Sequence, residues 1–102
     1  MFNWLSQDRR TMLREIVAEY ERDLDRERHR LDDLRIEEAK LRFSMEILEE
    51  HGEHEEAQRV RAQLNDAQHR VKAQQQLVAR TEKLLNLFRQ KLEQLEREQQ
   101  HA

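Results

Sequence analysis

From Leu13 onward the apolar residues recur in alternating steps of four and three. Leu13, Val17, Tyr20 and Leu24 lead to Leu31, Leu34, Leu41, Met45 and Leu48, and the two skipped slots hold Glu27 and Glu38. This is a heptad seam with a and d positions alternating, which predicts an amphipathic helix packed on a partner helix. After a break the step resumes through Ala57, Val60, Leu64, Ala67, Val71, Val78, Leu85, Phe88, Leu92 and Leu95, with Gln74 and Thr81 in the polar slots. Each half is then a helix of roughly 40 residues, ~60 Å long at 1.5 Å per residue.

The two repeats are out of phase. Continuing the first places its next a position at Gly52, whereas the second restarts at Ala57. That offset is neither a stutter nor a stammer, so a single unbroken helix does not fit. Gly52 suits the left-handed position just past a helix end. Glu53, Glu55 and Glu56 follow where the next helix has its positive dipole end. The stretch Glu49–Glu56 therefore reads as a turn.

A chain that folds back there must pair its two seams antiparallel. Setting Leu48 opposite Ala57 brings every a opposite a d: Met45 with Val60, Leu41 with Leu64, Leu34 with Val71, Tyr20 with Leu85, Val17 with Phe88 and Leu13 with Leu92. Polar seam residues then face apolar or small ones, Glu38 against Ala67, Glu27 against Val78 and Gln74 against Leu31. The flanking e positions match in sign, Arg14 with Glu96, Glu21 with Arg89 and Arg28 with Glu82. Exposed pairs of this kind contribute only ~0–1 kcal/mol each, so they support the register more than the stability.

Composition agrees. The 102 residues include one glycine and no proline, with 40% charged and 5% aromatic side chains, which leaves no turns for a β or α/β fold. The expected fold is all-α: one antiparallel two-helix coiled-coil hairpin spanning the chain as a single domain. Its helices fall at about residues 6–50 and 55–99, joined by a turn at about 51–54. No cysteine is present, which excludes disulfides and thiolate metal sites. A net charge of −3 argues against a general nucleic-acid binder. No stretch approaches the ~20 apolar residues of a membrane span. The first residues lack the apolar core of a signal peptide, and a cytoplasmic protein is the expectation.

Several large apolar residues fall outside the seam. Ile36, Phe43 and Ile47 form a stripe in the second part of helix one, and Leu5, Met12 and Ile16 form another near its start, beside Leu77, Leu84 and Leu87 of helix two. A two-helix core is thin and small scaffolds commonly need a further staple, so these nine residues are the candidate interaction surface. The partner is a protein or a second copy of the chain, with a homodimeric antiparallel four-helix bundle as the first expectation. Charge adds to this picture: residues 46–56 hold six acids and neither Lys nor Arg, while residues 70–91 hold six bases and one acid. A second hairpin laid head to tail would set one against the other.

Candidate chemistry is sparse. His51 and His54, with Glu50, Glu53 and Glu55, have imidazole and carboxylate groups that could meet a divalent ion, but no third histidine is near. Asp25, His29 and Asp33 share a helix face among arginines and read as a charge ladder. The hydroxyl candidates Ser6, Thr11, Ser44 and Thr81 do not combine with a histidine and a carboxylate at helical spacing. No glycine-rich phosphate loop is present, and the expectation is a chain that is not an enzyme and needs no cofactor or metal. The N-terminal aromatics remain. Phe2, Trp4 and Leu5 ahead of Arg9 and Arg10 could touch a membrane interface, or fold over the open end of the hairpin near Leu92 and Leu95, with Asn3 or Ser6 capping the helix.

Length and hairpin resemble the small Trp-x-Gly secretion proteins, but their motif belongs at the turn, where this chain has His51-Gly52-Glu53. No family assignment follows. The leading expectation is a protein-binding adaptor, chaperone or assembly scaffold. The alternatives are a peripheral membrane protein using Phe2, Trp4 and Leu5, and an RNA binder using the basic face of helix two.

Overall fold

A computed structural model describes the backbone from Phe2 to Gln100 and the side chains from Asp8 to Gln100. Two helices account for it, α1 from Phe2 to Glu50 and α2 from His54 to Gln100. No strand occurs among the described residues. The fold is a helical hairpin.

Helix α1 starts earlier than the periodicity suggested. Nothing between Phe2 and Leu13 breaks a helix, so α1 begins at Phe2. Asn3 and Ser6 thus lie inside the helix and do not cap it, and the backbone of Phe2–Leu5 is part of α1, while any cover that these side chains give to Leu92 or Leu95 lies outside the described residues. The side chains of Phe2, Trp4, Leu5 and Ser6 lie outside the described residues.

The turn is built by Gly52, whose φ is 75°. The Glu53 N–H donates to the Leu48 carbonyl at 2.8 Å and the Gly52 N–H to the Glu49 carbonyl at 3.1 Å. These are the two bonds of a Schellman motif, which satisfies the last carbonyls of α1 with Gly52 as the left-handed residue. Glu53 then opens α2, its carbonyl accepting from the Ala57 N–H at 2.9 Å. Glu55 and Glu56 occupy the first turn of α2, where the helix dipole favours negative charge.

By its internal contacts the chain divides into a terminal unit, Met1–Arg26 with Val78–Ala102, and a turn unit, Glu27–Leu77. In the terminal unit Val17, Leu24, Val78, Thr81 and Leu85 are buried, and the Tyr20 and Phe88 rings stack with centroids 5.3 Å apart. Offset stacking adds roughly 0.5–1.5 kcal/mol beyond the area that the rings remove from water. Arg14 lies 3.3 Å from Glu96, and Arg89 lies 3.4 Å from Glu21. Rising numbers on α1 meet falling numbers on α2, so the helices are antiparallel.

In the turn unit Leu31, Leu34, Ala57, Leu64, Ala67 and Val71 are buried. Arg61 reaches Glu49 at 3.0 Å, again at the paired e positions of the expected register. Each of the buried residues in both units is a seam position. Gln74, one of the polar seam residues, donates its side-chain amide to the Glu27 carbonyl at 2.9 Å. A half-buried amide without a partner would be costly, and this bond lets the seam carry a polar layer.

Candidate functional site

The side chains that the seam leaves over are the candidate site. Among the described residues Met12, Ile36, Phe43, Ile47, Leu77 and Leu87 are exposed, Phe43 most of all at 64%. Ile16 and Leu84 are half-buried although neither belongs to the seam. Leu5 lies outside the described side chains. Scattered apolar residues on a surface are ordinary, whereas these are large and repeat at helical spacing.

In the turn unit, Ile36 and Phe43 are a heptad apart on the back of α1, away from the seam, with Ile47 one turn beyond Phe43 on a neighbouring flank. Around them Arg42 holds Glu38 at 3.0 Å, covering the half-buried seam carboxylate with a charge partner one turn away. In the terminal unit, Arg9, Met12, Leu13, Ile16, Lys91 and Leu95 line an open groove of about 300 Å³. Its floor is apolar, and Arg9 and Lys91 are exposed cations at its edge. A second open space of about 410 Å³ lies among the polar and charged residues Arg10, Arg14, Glu96, Gln99 and Gln100.

The acidic stretch at the turn carries less free charge than its sequence window implied. Glu49 holds Arg61 at 3.0 Å and Glu56 holds Arg59 at 2.6 Å. Both arginines lie just past the window and fold onto it, because α2 returns alongside α1 and because residues three apart share a helix face. The basic stretch is likewise partly engaged, Arg70 by Asp66 at 2.6 Å and Arg89 by Glu21. Arg70, Lys72, Arg80, Lys83, Arg89 and Lys91 are all exposed.

His51 and His54 are exposed at the turn, as are Glu50, Glu53 and Glu55. Asp25, His29 and Asp33 are exposed on α1. Among the described residues no group of three His, Cys, Asp or Glu is placed to hold a metal ion. Thr11 and Ser44 are exposed, and Thr81 is buried in the seam of the terminal unit. No helix, among the described residues, is long and apolar enough to cross a membrane.

Sequence reasoning named each large apolar residue that is exposed among the described residues but missed the groove. The signal was present: Arg9 and Lys91 flank the seam one heptad from Ile16 and Leu84, on the side opposite the ion-paired e positions. No protein-family model matches the chain, and neither a curated protein nor a solved structure matches it, so its function has to be argued from these surfaces.

Proposed function

We propose that the chain is a non-enzymatic protein–protein interaction module, an adaptor, chaperone or assembly scaffold built on a coiled-coil hairpin. One observation carries this reading: the hairpin buries its seam and, among the described residues, still exposes six large apolar side chains, with Phe43 at 64% and Leu87 at 55%. Solvent-facing helix surfaces are normally polar, and clustered apolar positions mark contact sites. A partner helix could lay an apolar face on them, reading anchors at helical spacing.

The test uses the purified chain as bait for binding proteins, itself included, beside Phe43→Glu and Leu87→Glu. Both positions are exposed, so each variant keeps the hairpin and places a charge where a partner would sit. The reading expects at least one specific partner retained by the wild type and lost with one of the two variants, at unchanged helicity. Identical binding by all three proteins would overturn it.

A further inference from the structure

In the terminal unit the interhelical ion pairs Arg14–Glu96 and Glu21–Arg89 run along one flank of the seam. The opposite flank is different. There α1 presents Arg9, Ile16 and Asp23 at successive heptads, and α2 presents Leu84 and Lys91. The groove joins Arg9, Ile16 and Lys91 on this flank, with Met12 beside them. Ile16 and Leu84 are half-buried, and Leu87 is 55% exposed next to Leu84. Flanking positions of a two-stranded coil usually carry charges that pair across the seam. Apolar residues there widen the stripe to the pattern of helices that pack on two neighbours, as in a four-helix bundle.

We infer that this flank of the terminal unit is a self-association face, on which a second copy of the chain docks antiparallel with the two-fold axis at Ile16 and Leu84. The inference rests on the interaction-module reading and names its partner. Charge selects both the occupant and the direction. In the antiparallel arrangement Ile16 meets Ile16 of the second copy and Leu84 meets Leu84, a self-complementary contact of the kind a two-fold dimer requires. Arg9, one heptad before Ile16, then lies opposite Asp23 of the second copy, one heptad after it, and the pair occurs twice. Asp23 already holds Arg26, so docking places a second guanidinium on the same carboxylate. The parallel alternative sets Arg9 against Lys91 of the second copy twice at the same end, and like charges facing each other disfavour it. Met12 and Leu87 are the side chains that docking removes from water. Ile36 and Phe43, on the back of α1 in the turn unit, take no part.

Molar mass of the full chain, followed by sedimentation and light scattering across protein concentration, tests this. The wild type should move from 12.6 kDa towards twice that value. Leu87→Glu should weaken dimerisation by about tenfold or more, while Phe43→Glu should leave it unchanged. Arg9→Asp and Asp23→Arg should each weaken it several-fold, and the two together should restore it, because the swapped charges again meet across the axis. Circular dichroism on each variant separates lost association from lost folding. A chain that stays at 12.6 kDa throughout overturns self-association. If such a monomer still loses a different partner on Leu87→Glu, the interaction reading stands without it. A dimer abolished by Phe43→Glu but not by Leu87→Glu overturns this face, and a dimer whose charge swap fails to restore it overturns the antiparallel register.

Discussion

Leu85 and Leu87 are two residues apart on α2 and chemically identical, yet one lies in the seam and the other outside it. Leu85 is 2% exposed and Leu87 is 55% exposed. Truncation to alanine removes three carbons at either site. Fully buried, these are worth about 0.8 kcal/mol each, close to 2.4 kcal/mol in transfer free energy, and the cavity adds to that. For Leu85→Ala the expected loss is therefore about 3 kcal/mol, in the lower part of the range for core leucines because a two-helix core can relax around the gap. At Leu87 somewhat under half of the side chain is out of water, so the same truncation removes about 1 kcal/mol, less the few tenths that alanine returns in helix propensity. For a domain of this size 1 kcal/mol corresponds to a Tm change of about 4–8 °C. Leu85→Ala should then lower Tm by about 12–24 °C and Leu87→Ala by less than about 8 °C. The assay is thermal unfolding followed by circular dichroism, with urea midpoints as a second measure. Both are read at the dilute end of a concentration series, so that association adds nothing at Leu87. Equal losses at the two positions, or a larger one at Leu87, would refute the assignment of the core to the a and d positions of this register.

Two further outcomes follow from the turn and the flanking ion pairs. Gly52 has φ at 75° and open space where a Cβ would stand, so Gly52→Ala should lose about 1–2 kcal/mol through backbone strain alone. Gly52→Asn should lose less, and chemical denaturation of both variants checks the order. A double-mutant cycle on Arg14 and Glu96 should give a coupling below about 1 kcal/mol that fades in high salt, because both side chains are largely solvated. A coupling well above that would mean the pair is shielded from solvent in solution.

Much of this architecture follows from the amino-acid order alone. A strict heptad step confines the apolar side chains to one face, so it identifies which residues can be buried. The phase break at Gly52, with no other glycine and no proline, leaves one place for the chain to reverse. Antiparallel pairing then has a single register that matches both seams, and Arg14–Glu96 and Glu21–Arg89 meet where that register puts them. Local geometry is enough for these results, because helical periodicity and the left-handed preference of glycine do not depend on distant residues.

Burial depth needed the assembled hairpin. Leu34 and Leu41 occupy equivalent seam positions, yet Leu34 is buried and Leu41 is half-buried, since what covers a side chain depends on the neighbours that the other helix supplies. The amide of Gln74 found the Glu27 carbonyl across the seam, and Arg61 folded from α2 onto Glu49 of α1, neither of which a count within a sequence window can register. Period alone treats the two flanks of a seam as equals. Residue types set charges on one flank and Ile16 and Leu84 on the other, but only the packed helices show that the second is left open as a groove between Arg9 and Lys91, because solvent access belongs to the pair of helices and to neither one alone.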